Sequence, residues 1–439
     1  MRVRPYVRRR RPAPGRGDRM ISSPMPLTGL PRTYAMRAAD ALASATATYA
    51  IPLLVLVTTG STALTGVAFL LEWAPRLAAF AFAGSLVDRW SAGCVFRMTN
   101  VVRTAVVVLA GAVLLALPSS GTMTTCVVLA FGAVSGLLAE VSFVAVETLG
   151  AEAGRRLGAA AHRVQGAQTG IDQGAMLVGP ILGGLLLMAG PAVLLTVVAL
   201  LALTAAATTS GDVVGTDHRP VASGLRTGWA TLRRTPALGW LVGGLVASNL
   251  SLGVLQAAAP ITVIHRFHSS AVAVGSVWSA AAVASLLAVW ATRRAIDRFG
   301  IWLVGVAAAT VSTAACLATA LAAGFSAYTV AVAVVMAADG ALTVVLRTLR
   351  SRLIPVRAFG STLAVTIILV LLPFPVAGAL IAVVPTAEIP RLLLVCAVLQ
   401  GVALSACFAG LRRHRAACEL PHTQVPAPRR EPVQPADAR

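Results

Sequence analysis

Long apolar stretches recur along the whole chain and decide what it can fold into. Twelve can be drawn: Ala38–Val57, Leu64–Leu86, Val101–Leu117, Met123–Val146, Gln165–Met188, Ala192–Thr209, Leu238–Ile264, Ala271–Ala291, Ile301–Ala322, Tyr328–Leu346, Ser361–Val383 and Leu392–Leu411. Each is close to the roughly 20 apolar residues that a helix needs to cross a hydrocarbon layer about 30 Å thick. Charged residues make up only 12% of the 439 and hydrophobic ones 57%, which excludes both a monomeric water-soluble protein and a disordered chain. Aromatics are few and Gly and Pro are frequent, which suits close-packed membrane helices better than a membrane barrel. The loops and tails that remain are too short to form a sizeable soluble enzyme domain.

The basic residues fix the expected topology. All 36 are arginine, and 33 of them fall in the two tails or near alternate loops. Arg266 and Arg391 lie on the other side, and Arg76 lies inside a span. The positive-inside rule then places both termini and the long central segment in the cytoplasm. Six spans precede that segment and six follow it. The expected organisation is a basic disordered tail (1–37), a six-helix bundle (38–209), a cytoplasmic linker (210–236), a second six-helix bundle (237–411) and a second tail (412–439). Two such halves joined by a linker are the plan of a duplicated transporter. The absence of lysine and the alanine-rich composition point to a GC-rich bacterial genome, hence to a bacterial plasma membrane.

Several chemistries find no support. The six cysteines form no CxxC pair, and the six histidines are scattered, so neither a metal site nor a disulfide is expected. A phosphate-binding loop of the Gly-x-x-x-x-Gly-Lys-Ser/Thr type cannot occur without lysine. The arginines do not interleave with aromatic platforms, so no nucleic-acid partner is expected. No cofactor and no enzymatic activity are expected.

Ionisable residues inside spans are costly, and each is a functional candidate by default. Asp40, Glu72, Glu140, Glu147, Asp172 and Asp339 lie in or near apolar segments. Glu72 and Arg76 stand four apart on one helix face, and Glu140 and Glu147 two turns apart on another. Glu140, Asp172 and Glu72, with Arg76 and Asp339, are the candidates for carrying a coupled proton. Satisfied interhelical hydrogen bonds are the competing role for each. Asn249 and Gln256 share a face of the seventh span. With Phe143, Trp278 and Ser279 they are candidates to line a central cavity, or else to join helices. The scarcity of charge favours a small amphipathic organic substrate over a sugar or an inorganic ion.

At this point the chain resembles the major facilitator superfamily. Gly84, Asp88 and Arg89 match the start of that family's loop motif, although Ser91, Ala92 and Gly93 replace its Gly, Arg and Arg/Lys. Asp297, Arg298 and Gly300 form a second partial copy after the eighth span. The resemblance gives these residues the role of a conformational latch. Gly166, Gly179, Pro180, Gly183 and Gly184 follow the spacing of the fifth-span motif that marks the family's proton antiporters, with Ala175 in place of one Gly. Ile51–Leu54, Ala74–Leu77 and Arg347–Gly360 read like the enterobactin-exporter and macrolide-efflux branch.

The resemblance implies an all-α integral membrane protein of twelve transmembrane helices in two pseudo-symmetric six-helix bundles. It implies efflux of a drug, antibiotic or siderophore-like compound by proton antiport, with a monomer as the working unit. Proton-coupled uptake and a non-transporting scaffold or sensor are the alternatives left open.

Overall fold

A computed structural model describes residues 30–116, 121–157, 161–209, 221–354 and 359–415. The greater part of both tails and residues 210–220 of the linker lie outside the described residues. The helices run α1 (Leu30–Thr59), α2 (Thr62–Trp90), α3 (Ala92–Ala116), α4 (Thr122–Leu157), α5 (Ala161–Ala189), α6 (Pro191–Ala207), α7 (Val221–Arg234) and α8 (Pro236–Ile261). There follow α9 (Ala271–Phe299), α10 (Ile301–Leu321), α11 (Phe325–Leu353), α12 (Phe359–Leu371), α13 (Pro373–Val383) and α14 (Ile389–Arg413). Eleven spans are long and apolar enough to cross a membrane, with α12 and α13 together forming one of them. The twelfth, α6, is apolar but has 17 residues, about 25 Å of helix. The fold is an all-α architecture of two six-helix bundles.

Two boundaries differ from the sequence reading. Helix α1 begins at Leu30, eight residues before the apolar pattern does, because its first turns pack against the protein rather than lipid. Arg32 Nε, for instance, donates to the carbonyl of Thr208 at the end of α6 (2.7 Å). The linker also contains a helix of its own, α7.

The two halves repeat one another in register. Helices α2 and α9 each have 29 residues. Each starts at a serine cap, Ser61 accepting from Leu64 N (3.2 Å) and Ser270 from Ala273 N (3.3 Å). Each ends in the same unusual backbone, Ser91 at φ 70°, ψ 150° and Gly300 at φ 80°, ψ 156°. Within each half the same pairs pack: α2 on α4 as α9 on α11, α3 on α6 as α10 on α14, and α1 on α5 as α8 on α12 and α13.

Between halves the main contacts are α2 with α13 and α5 with α9. The buried apolar residues show where these close. One cluster, from Ala47 to Ala397 in sequence, joins both bundles at the face opposite the termini, called here the far face. On the terminal face the core splits in two. One cluster, including Val95, Phe96 and Val141, belongs to the first bundle, and one, including Leu241, Leu342 and Phe408, belongs to the second. The bundles are therefore sealed together at the far face and apart at the terminal face.

Candidate functional site

The far-face seam is built on small residues. A Cβ on Gly66 would lie 2.4 Å from the backbone N of Ala382, and one on Gly378 2.5 Å from that of Leu70. The other pair repeats this: a Cβ on Gly275 would lie 2.4 Å from the carbonyl oxygen of Pro180. Gly66 and Gly275 each stand 25 residues before their cap, at Ser91 and Gly300. Close backbone approach is how small residues hold membrane helices together.

The fifth-span motif divides between two faces. Gly179 and Gly183 take α5 against Ala45, Thr46 and Ala50 of α1. Gly184 and Pro180 take it against α9, at Ala271 and Gly275. The side-chain position of Gly166 lies outside the described residues.

Two cavity candidates sit in this seam instead. Ser279 Oγ donates to the carbonyl of Leu177 across the bundles (2.5 Å), and buried Trp278 lies against Tyr49 with ring centroids 5.5 Å apart. Asn249 is also committed: its Nδ2 donates to the carbonyl of Val370 (2.7 Å), just before Pro373 breaks the span into α12 and α13. Proline removes a backbone donor, and the side-chain amide meets a carbonyl at that break. Gln256 is half-buried on the same helix. Phe143 stays 46% exposed, one turn from Glu140 on α4.

Three buried charge groups occupy the first bundle. Nearest the terminal face, Arg37 of α1 is 3% exposed and reaches two helices at once. It donates to Asp172 of α5 through Nε (2.9 Å) and Nη2 (2.5 Å), and to Glu147 of α4. Asp172, expected as a coupling residue, is thus one leg of a three-helix clasp.

In the second group Arg103 of α3, 2% exposed, donates through Nη1 to Asp40 of α1 (3.0 Å) and to Ser44 (3.0 Å). Ser142 Oγ donates to the same carboxylate (2.8 Å), and Asn100 Nδ2 donates to Ser142 (3.1 Å). Sequence reading counted Arg37 and Arg103 among the loop arginines. The signal it passed over was that Asp40 and Arg103 both stand inside predicted spans, where neither charge is tolerated alone.

The third group lies just inside the seam. Arg76 Nη2 donates to Glu72 Oε1 (2.7 Å) and to Thr48 Oγ1 (2.7 Å). Glu72 is 1% exposed, and its second oxygen, Oε2, has no hydrogen-bond partner among the described residues. The guanidinium lies over the ring of Trp73 at 4.5 Å, and that ring stacks on Phe374 of α13 at 4.2 Å. One continuous stack therefore runs from a buried cation in the first bundle to an aromatic ring in the second. Glu140 is half-buried on α4, one turn beyond Gly136, where a Cβ would meet the Glu72 carbonyl at 2.1 Å. It feels the charge of Arg76 but forms no ion pair among the described residues.

The remaining candidates are dispersed. Asp339 of α11 is half-buried and forms no ion pair among the described residues. Of the latch residues, Gly84, Arg89, Asp297 and Arg298 are exposed on the terminal face, and the Asp88 side chain lies outside the described residues. No Cβ contact within 4 Å surrounds Gly84 or Gly300. Among the described residues no three His, Cys, Asp or Glu side chains group as metal ligands.

No protein-family model and no curated protein matches the sequence. Solved structures do match in fold. A bacterial homologue of the iron transporter ferroportin, in an inward-facing state, superposes with TM-score 0.69 at 14% identity, over 88% of this chain and 99% of that one. The outward-facing state of a bacterial ferroportin homologue gives 0.60 at 13% identity, over 88% and 99%. The nucleoside transporter NupG gives 0.69 at 12% identity, over 87% and 99%. This chain is a multi-pass membrane protein with the fold of major facilitator transporters.

Proposed function

We propose that the protein is a secondary transporter that exports a small amphipathic organic compound in exchange for protons, by alternating access between its two bundles. The observation that carries this reading is the third charge group. Buried Glu72 pairs with Arg76, and half-buried Glu140 stands on α4 one turn from where that helix meets the Glu72 backbone, so two carboxylates share the neighbourhood of one guanidinium. The carboxylate in excess is too costly to leave bare, so it takes either a proton or a cationic group on a substrate. Exchange of one for the other is the elementary step of antiport. The group also sits where such a change is felt by the seam, because Arg76 leans on Trp73 and Trp73 on Phe374.

The conformation fits the same cycle. With the arginine-rich face in the cytoplasm, the seam closes the outside and the terminal face opens inward. The exposed Arg89, Asp297 and Arg298 are then part of a latch in its released state, placed to engage when the terminal face closes. Proton antiport, the efflux direction and kinship with the enterobactin-exporter branch belong to this proposal, as do the working monomer and the assignment of residues 38–209 and 237–411 as the moving units.

Proton flux in inverted vesicles tests the reading. A pH-sensitive dye reports the gradient while amphipathic antibiotics, dyes and siderophores are added. A compound that drains the gradient in wild type but not in Glu140→Gln, at equal protein level, is the expected result. Undiminished exchange by Glu140→Gln would remove that carboxylate from the mechanism.

A further inference from the structure

Helix α7 has two unlike faces. Leu225, Gly228 and Leu232 turn inward, and the helix packs against α12 and the start of α8. Arg226, Trp229, Ala230, Arg233 and Arg234 are exposed, and the described part of α7 has no acidic residue. Arg233 lies over the Trp229 ring at 5.2 Å. One turn into α8, Trp240 is 44% exposed and rests on Gly410 of α14, whose last turn carries the exposed pair Arg412 and Arg413. Five arginines and two indoles thus stand at the terminal-face ends of three successive neighbours, α7, α8 and α14, called here the α7 lip.

The wider distribution places this lip at a bilayer surface. Of the seven tryptophans, Trp90, Trp229, Trp240, Trp290 and Trp302 lie toward the terminal face, and only Trp73 and Trp278 lie deeper, in the seam. Trp290 repeats the pairing of Trp229, with Arg294 over its ring at 3.8 Å. Indole rings settle at the headgroup level, and arginines beside them meet phosphate. An amphipathic helix with a basic outer face binds an anionic leaflet, each arginine near the surface strengthening the binding about fivefold.

We propose that the α7 lip, made of Arg226, Arg233 and Arg234 with Trp229, Trp240 and the Arg412–Arg413 end of α14, is a docking site for the phosphate headgroups of anionic phospholipids. The occupant is a lipid of the surrounding leaflet: the lip is formed on a span-flanking helix, and its two indoles provide the apolar contact that a free anion would leave unused. The site is tied to the moving parts, because α7 packs on α12 and α12 leads directly into α13 of the seam.

The test uses the full-length protein in neutral detergent, titrated with phosphatidylglycerol, phosphatidylcholine or inorganic phosphate, with thermal unfolding as the readout. Phosphatidylglycerol should raise the unfolding temperature and the other two should not. The triple variant R226Q/R233Q/R234Q should bind phosphatidylglycerol about tenfold or more weakly. R391Q, on the opposite face, should bind as wild type does. R226K/R233K/R234K should retain binding, which separates lost charge from misfolding. As a second readout, brominated phosphatidylglycerol in vesicles should quench wild-type tryptophan fluorescence more than it quenches Trp229→Phe. An equal response to phosphatidylcholine, an equal response to inorganic phosphate, or undiminished phosphatidylglycerol binding by the glutamine variant would each overturn the proposal.

Discussion

The two bundles share one plan and differ in what holds them together. The first contains buried Arg37 and Arg103 and half-buried Arg76, each hydrogen-bonded to a carboxylate on its own or a neighbouring helix. The second contains no such pair among the described residues. Arg103 and Ser312 each stand twelve residues after their cap, at Ser91 and Gly300. Where the first bundle has a guanidinium on Asp40, the second has a neutral contact, in which Gln400 Nε2 donates to Ser312 (2.8 Å) and Cys316 lies 3.4 Å from the Gln400 carbonyl oxygen. Equivalent positions on α3 and α10 thus turn to different partners: Arg103 to a carboxylate on α1, and Ser312 to an amide on α14, the counterpart of α6. The lesson is an asymmetry of material: among the described residues the buried ion pairs belong to the first bundle, and the second is joined by neutral contacts.

The largest effect expected from this difference is on stability. Asp40→Asn leaves Arg103 buried without a counter-charge and should cost about 3–5 kcal/mol. Gln400→Leu, which removes the neutral partner of Ser312, should cost about 1–2 kcal/mol. Thermal unfolding of both variants in detergent decides it, and equal losses would erase the distinction between the halves.

An intermediate effect is expected at the seam, where the halves behave alike. Gly66→Val and Gly275→Val each place carbon atoms where a facing backbone already sits. Overpacking of this kind costs about 1–3 kcal/mol, enough to move a two-state balance roughly tenfold to a hundredfold away from far-face closure. Spin labels on the far ends of α2 and α13, and of α5 and α9, should report wider distances in both variants. A change in only one would mean that the seam is not symmetric in use.

The smallest effect concerns the loop caps. Gly300 adopts its backbone freely, whereas Ser91 holds nearly the same angles with a side chain, in a region that is almost restricted to glycine. Ser91→Gly should stabilise the protein by about 1 kcal/mol, and Gly300→Ser should cost a similar amount. If Ser91→Gly destabilises instead, the bond that the Ser91 hydroxyl accepts from Cys94 N at 3.4 Å outweighs the strain.

The span count and the two halves were legible because apolar length and arginine placement are summed over many residues, so single errors cancel. The Glu72–Arg76 pair was legible because both partners lie on one helix. The Arg37 clasp and the Asp40–Arg103 pair were not, since each joins helices that are far apart in sequence and no spacing rule connects them. Asn249 and Ser279 illustrate the same limit. A polar residue in a span can face a cavity or serve a neighbouring backbone, and only packing distinguishes the two.

The break between α12 and α13 has a consequence for the order of events. The two seam pairs are built differently: α2 meets a short eleven-residue helix that starts at a break in its span, while α5, with Pro180 inside an unbroken helix, and α9 meet as 29-residue helices. A joint lets one side of the gate yield while the rest of its span stays in place, so opening at the far face should begin along α13. In the proposed export cycle the path out would then form first as a crevice on that flank, and a compound would leave sideways past Trp73 and Phe374 before a central passage existed.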